Sequence, residues 1–99
     1  MENDIKKIEI ITDYAFLTRL VQLIDATGVS VYTILNDVAG KGLRGSKDGH
    51  GIAGGFKNCY IMCCCDEKEA RKVVEAVRGV ISRYGGICIV SDAHWVIHN

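Results

Sequence analysis

The first half of the chain alternates between strand-like and helix-like spacing of its apolar residues. Residues Ile5 to Thr12 are rich in β-branched side chains and partly alternate, which predicts a first strand. Asp13 suits an N-cap, and apolar residues then recur at helical spacing to about Thr27, with Gly28 in the C-cap role. Most residues from Val29 to Leu35 are β-branched or aromatic, which predicts a second strand.

The second half repeats this order of strand and helix. Cys59 to Cys65 is a continuous apolar run, as expected for a central strand. Asp66 follows as a helix cap, and Glu69 stands three positions later, which is the spacing of a capping box. The buried face of this helix is predicted from apolar residues at helical spacing, namely Ala70, Val73, Val74, Val77 and Ile81.

A sharp turn at Tyr84-Gly85-Gly86 precedes a fourth predicted strand, Ile87 to Val90, and a short edge strand from Ala93 to Ile97. The order strand, helix, strand, loop, strand, helix, strand is the split βαβ pattern. We therefore predict a single domain over residues 1–99. Its fold class is α+β, a ferredoxin-like βαββαβ sandwich with two helices on one face of a four-stranded sheet.

The second face of this sheet is expected to be apolar as well. Alternate strand residues such as Ile8, Ile10, Ile61 and Cys63 are hydrophobic, whereas two helices cover only one face. An exposed apolar face of this size is commonly buried against identical copies. The pattern therefore predicts a homo-oligomer.

A glycine-rich segment separates the second and third predicted strands, over about residues 37–58. Between Gly40 and Gly55 it holds seven of the chain's eleven glycines, with Lys41, Arg44 and Lys47 interleaved. Loops of this length in small domains are mostly functional or disordered. Glycine lets backbone N–H groups approach an anion, and basic side chains supply the countercharge. The segment is therefore predicted to be a flexible, ligand-sensing loop.

Composition excludes several classes of partner. Twelve basic and twelve acidic residues cancel, giving a pI near 6.8, which argues against binding nucleic acid through a strong positive field. No apolar run approaches the roughly 20 residues that span a bilayer. The sequence Met1-Glu2-Asn3-Asp4 lacks the basic start and apolar middle of a signal peptide, so a cytoplasmic protein is expected.

The five cysteines fit a reducing compartment. Cys63, Cys64 and Cys65 are consecutive in a predicted strand, so their side chains alternate between faces and pair poorly with one another. The odd total leaves at least one thiol unpaired. They are interpreted as small buried hydrophobic residues, with metal or redox chemistry as the alternative.

Three short motifs occur in a characteristic order and spacing. They are Tyr32-Thr33-Ile34, Gly40-Lys41-Gly42-Leu43-Arg44 and Tyr84-Gly85-Gly86-Ile87-Cys88-Ile89. Over nearly the whole chain this pattern resembles the PII-like signalling proteins, and more closely their branch associated with bicarbonate transport and carboxysomes. The resemblance implies a homotrimer with adenine nucleotides in the clefts between subunits. The nucleotide would govern the conformation of the long loop, and the loop would dock on a partner protein such as a bicarbonate transporter or a carboxysome protein.

The resemblance also implies which residues bind the nucleotide. Tyr32 and Thr33 would lie against the base and sugar. The loop would approach the phosphate, with Arg44 offering a planar fork to its oxygens. The turn after the second helix would close the cleft from below. The implied nucleotide-binding residues are thus Tyr32, Thr33, Gly40, Gly42, Arg44, Gly85, Gly86 and Ile87.

Departures from the nitrogen-sensing PII pattern bear on the choice of ligand. Those proteins hold a triphosphate with a turn lysine and two arginines near the end. Here Ile87 stands at the lysine position, His98 matches the first arginine, and Asn99 is the last residue. Ile61 occupies a position that is often a glutamate facing the nucleotide. Each lost charge-assisted contact is worth about 1.5–3 kcal/mol, which favours AMP, ADP or cyclic AMP over ATP. Bicarbonate is a second expected ligand, from the branch alone, and no cofactor is expected.

Two other classes of function compete with this interpretation. A trimeric metal-binding protein of similar fold is permitted by the cysteine run and by His50, His94 and His98, although no Cys-x-x-Cys or His-x-His spacing occurs. An enzyme such as an acylphosphatase would need an arginine cradle after the first strand. That turn here is Thr12-Asp13-Tyr14, acidic and without glycine, so we do not expect an enzyme.

Overall fold

The computed structural model describes residues 4–29, 31–39 and 57–99. It contains four strands, two α-helices and one turn of 3₁₀ helix at Tyr14–Phe16. In chain order, the strands and α-helices are β1 Asp4–Asp13, α1 Leu17–Ala26, β2 Tyr32–Val38, β3 Asn58–Cys65, α2 Glu67–Tyr84 and β4 Ile87–His94. The predicted α+β ferredoxin-like fold is confirmed.

The four strands form one antiparallel sheet in the order β2-β3-β1-β4. The two central strands pair over eight residues, from Lys6 opposite Cys65 to Asp13 opposite Asn58. Strands β2 and β4 are therefore the two edges. This order decides which of the predicted site residues can meet within one chain.

The core lies between one face of the sheet and the two helices. Its fully buried members come from the central strands and from both helices: Ile8, Ile10 and Ile61 from the sheet, Leu20 and Ile24 from α1, and Val73 and Val77 from α2. Of the predicted apolar face of α2, Val74 and Ile81 are only half-buried, and Val80 is buried instead. These contacts hold both helices on the same side of the sheet.

The open face of the sheet carries exposed apolar residues beside Lys7 and Glu9, but they are not the residues first assigned to it. Ile8, Ile10, Ile61 and Cys63 were expected there and are instead buried in the core, with at most 1% of their surface exposed. The opposite face is formed by the intervening residues, among them Leu35, Ile87 and Ile89, which are 53%, 44% and 48% exposed. The alternation was right, but its phase was wrong, because β3 is hydrophobic at both sets of alternate positions and the charges of Lys7 and Glu9 in β1 were not used to fix the phase.

Helix ends follow the predicted caps. The side chain of Asp66 accepts a hydrogen bond from the Glu69 backbone N–H at 2.7 Å, and the Glu69 carboxylate accepts from the Asp66 N–H at 3.1 Å, which completes the capping box. The Asp13 side chain caps the 3₁₀ turn through the Ala15 N–H at 2.8 Å. Gly28 has a φ of +96°, a value that favours glycine after the end of α1.

Two strand boundaries differ from the sequence prediction. Strand β2 starts three residues later than Val29, since pairing with β3 starts with Tyr32 opposite Cys63. It also extends to Val38 through a register shift after Leu35. Strand β4 continues to His94 because β1 offers it partners as far as Asp4, so the predicted separate strand from Ala93 to Ile97 does not form.

Candidate functional site

The turn between α2 and β4 is held against the end of β1. Gly85 and Gly86 have φ values of +96° and +125°. The buried hydroxyl of Thr12 donates to the Gly85 carbonyl oxygen at 2.8 Å. A Cβ at Gly86 would lie 2.6 Å from the Ile11 carbonyl oxygen and 2.8 Å from the Thr12 Cβ. Gly86 is therefore needed for this close approach, and Gly85 for its positive φ; together they place Ile87 opposite Ile11 at the start of β4.

The long loop joins the sheet at the same end as this turn. Its last residue, Lys57, accepts a hydrogen bond from the Tyr14 backbone N–H at 2.8 Å, immediately after β1. Thr12 and Tyr14 thus connect the end of β1 to the glycine turn and to the loop respectively. The glycine turn and the return of the loop are neighbours in one chain. Gly40, Gly42 and Arg44 themselves lie outside the described residues.

The other end of the loop leaves β2 through an irregular step. Asp37 has a φ of +57°, in the left-handed region that aspartate tolerates better than most residues. The register shift between Leu35 and Val38 surrounds it, and its carboxylate lies 3.5 Å from the Lys57 ammonium. This exposed ion pair spans the two ends of the loop. The sequence analysis assigned Asp37 to the loop and gave it no role.

Tyr32 and Thr33 lie at the opposite end of β2. About 20 Å of strand separates Tyr32 from Val38. Across the sheet, two strands lie between Tyr32 and the β4 edge, a span of about 14 Å. The structure therefore brings Gly85, Gly86 and Ile87 together with the return of the loop, and separates Tyr32 and Thr33 from them within one chain.

The side chains of Tyr32 and Thr33 point to opposite faces of the sheet. Tyr32 packs against the core beside α1, and its hydroxyl donates to the Asp25 carboxylate at 2.8 Å. This hydrogen bond raises the pKa of the Tyr32 phenol, and burial adds to the effect. Thr33 stands opposite Met62, on the open face, and is exposed. The two side chains therefore cannot contact one ligand from the same face of the sheet.

Two residues around these groups were missed at the sequence level. Thr12 holds the glycine turn, and its only sequence signal is a polar side chain in an otherwise apolar strand end. Asp25 holds the Tyr32 phenol, although it is seven positions earlier in the chain, in the last turn of α1. No rule of sequence spacing predicts a contact between a residue at the end of a helix and a residue on the strand that follows.

Three further features concern the competing interpretations. Among the described residues, no group of three or more His, Cys, Asp or Glu side chains could hold a metal ion. A groove of about 420 Å³ between α2 and β4 is lined by Lys6, Val74, Val90 and the ion-paired Arg71 and Arg78, and by none of the predicted site residues. Neither of the two α-helices described is both long and apolar enough to cross a membrane.

Comparison with protein families identifies the chain. Residues 5–98 match the family described as Nitrogen regulatory protein P-II, so the chain belongs to the PII family, whose members are regulatory proteins. No curated protein matches the chain.

Solved structures show the same fold with adenine nucleotides bound. CPII from Thiomonas intermedia K12, bound to ADP and bicarbonate, is 27% identical with a TM-score of 0.77, over 92% of this chain and 87% of that one. CPII bound to ADP, AMP and bicarbonate is 25% identical with a TM-score of 0.76, over 92% and 93%. GlnK from B. subtilis in complex with ATP is 24% identical with a TM-score of 0.67, over 94% and 84%, and supports the fold alone.

Proposed function

We propose that this protein is a PII-like regulator that binds an adenine nucleotide in each cleft between the subunits of a homotrimer. A trimer accounts for the exposed apolar residues on the open face of the sheet, such as Leu35, Ile87 and Ile89, which other copies would cover. The CPII proteins, which are 25–27% identical to this chain and have the same fold, bind ADP, AMP and bicarbonate.

The observation that carries the proposal is the division of the described candidate residues between the two edges of the sheet. One half consists of the glycine turn and Ile87, with Lys57 at the return of the loop nearby, and the other of the β2 edge at Tyr32 and Thr33. The two halves are about 14 Å apart across the sheet. A nucleotide that contacts both must therefore bridge two chains, with the loop half from one protomer and the Tyr32 half from its neighbour.

The phosphate end is proposed to lie in the loop half. Arg44 would supply a bidentate cation, and Gly40 and Gly42 would let backbone N–H groups approach the phosphate. The turn at Gly85 and Gly86 lies beside Lys57 at the return of the loop. Ile87 offers no charge to a third phosphate. Its side chain is 44% exposed at the start of β4, and it stands where nitrogen-sensing PII proteins carry a lysine. We therefore infer a preference for AMP, ADP or cyclic AMP over ATP.

The nucleotide is proposed to bias the loop between two conformational states, and the loop to signal to a partner protein. Bicarbonate would act as a second effector, as its binding to CPII supports. The resulting role is to report inorganic-carbon or energy status in the cytoplasm, in association with carboxysomes. The partner class is a bicarbonate transporter or a carboxysome protein. No observation on the described residues favours the metal-binding alternative.

The two-chain cleft is tested by complementation. Arg44→Ala removes a charge-assisted contact, and Tyr32→Ala removes the ring from the other half, so each variant alone should bind ADP at least tenfold more weakly. In trimers refolded from an equal mixture, roughly a quarter of the clefts combine both intact halves. Recovery of wild-type ADP affinity in that fraction of the clefts would support the proposal. No recovery in mixed trimers, with each variant still folded, would contradict it.

A further inference from the structure

The carboxylate of Asp25 stands at the edge where the nucleoside half of the proposed cleft lies. One of its oxygens, Oδ1, accepts the hydroxyl of Tyr32 at 2.8 Å. Within the described ranges, no cation pairs with this carboxylate and no donor reaches its second oxygen. Asp25 is exposed, whereas the Tyr32 ring is half-buried against the core. The pair therefore presents an aromatic ring and a free carboxylate oxygen side by side.

The position of Asp25 is unfavourable for the helix that carries it. Helix α1 ends at Ala26, and its last turn contains no basic residue. A carboxylate in the last turn of a helix meets the negative end of the helix dipole, which destabilises the helix. The same negative field opposes a phosphate at this edge. Hydroxyl groups are favoured at this edge, because they carry no negative charge and can donate hydrogen bonds to the carboxylate.

From this geometry we propose that Asp25 is a specificity residue that accepts a hydrogen bond from the ribose hydroxyls of the bound nucleotide. A carboxylate beside a sugar diol is a recurrent means of recognising ribose. Oδ1 remains engaged by Tyr32, and the free oxygen faces the sugar. The electrostatics of the α1 terminus also fix the orientation of the ligand. Its nucleoside lies at the Tyr32 edge, and its phosphates lie towards the glycine turn of the neighbouring protomer. This inference rests on the proposed nucleotide function.

The test compares ADP with 2′,3′-dideoxy-ADP by calorimetry. A hydrogen bond to a charged group corresponds to about a tenfold or greater difference in affinity, so the wild-type protein should prefer ADP by at least that factor. Asp25→Ala should abolish the preference, because ADP loses the hydrogen bond from its ribose hydroxyls that 2′,3′-dideoxy-ADP cannot make. Because Asp25 is exposed and opposes the dipole of its helix, relief of that repulsion offsets the lost hydrogen bond to Tyr32, so this variant should still fold.

Two control variants separate recognition of the sugar from a structural role. Tyr32→Phe deletes the contact to Asp25 but keeps the carboxylate, so it should lower the affinities for both nucleotides equally and retain their ratio. Glu75→Gln, at an exposed carboxylate on α2 that pairs with Arg78, should change neither affinity. A preference for ADP that persists in Asp25→Ala would overturn the inference while leaving the nucleotide function intact. Wild-type protein that binds neither nucleotide would overturn both.

Discussion

Substitution of Gly86 by alanine tests how the glycine turn is held against β1. The new Cβ would lie 2.6 Å from the Ile11 carbonyl oxygen, 2.8 Å from the Thr12 Cβ and 2.9 Å from its Oγ1. These neighbours belong to a central strand and cannot move aside without disturbing the sheet. The φ of +125° is also one that side chains with a Cβ rarely adopt.

The expected loss of stability has two parts. The backbone conformation costs about 1–3 kcal/mol for a residue other than glycine. Forcing a methyl group into a closely packed site costs about 1–3 kcal/mol more. Gly86→Ala should therefore lower the free energy of unfolding by about 2–6 kcal/mol. Because the turn must shift, ADP binding should weaken as well.

Two other glycines provide matched controls. Gly28 has a φ of +96° but open space around its Cβ position, so Gly28→Ala should show only the backbone cost. Gly79 lies within α2 with nothing within 4 Å, so Gly79→Ala should stabilise the protein by about 0.5–1 kcal/mol.

The free energies of unfolding of the three variants are compared by urea denaturation at one fixed protomer concentration, since the stability of an oligomer depends on concentration. If Gly86→Ala were no more destabilising than Gly28→Ala, the close contact with β1 would not exist in solution.

Three further predictions follow from individual residues. Thr12→Val removes the donor to the Gly85 carbonyl and should lower the free energy of unfolding, measured by urea denaturation, by about 1–3 kcal/mol. An unchanged free energy of unfolding would show that water satisfies this carbonyl instead. Burial raises the pKa of Cys63 and Cys65 to about 11 from 9.0. The unfolded chain loses these protons first, so stability should fall as the pH rises from 9 towards 11, and Cys63→Ala should flatten that curve. Arg44→Ala should weaken ADP binding at least tenfold, while light scattering should show an unchanged oligomer. An affinity for ADP equal to that of the wild type would show that Arg44 does not belong to the site.

Much of the fold could be predicted because local signals agreed with it. The Asp66–Glu69 capping box, the glycine at the end of α1 and the β-branched runs each specify an element from a few adjacent residues. The phase of the sheet could not be predicted in this way. In β3 both alternating sets of residues are largely apolar, so only packing against the helices decides that Ile61 is buried. In β1, by contrast, Glu9 between Ile8 and Ile10 already indicates which set faces away from the core.

The candidate site could be predicted only in part, for a geometric reason. Motifs such as Gly85-Gly86-Ile87 are local, and their conformation follows from the two glycines. The partners of those motifs are distant in sequence, as Thr12 is from Gly85 and Lys57 from Tyr14. The division of the site between two edges depends on the strand order β2-β3-β1-β4, which no single motif encodes.

The central claim is that this PII family member binds an adenine nucleotide and prefers short phosphate chains. Isothermal titration calorimetry of the metal-free protein tests it most directly, with AMP, ADP, ATP and cyclic AMP as titrants, each with and without bicarbonate. We predict micromolar binding of AMP, ADP or cyclic AMP at about one nucleotide per protomer, and weaker binding of ATP. Absence of binding by all four nucleotides would contradict the account.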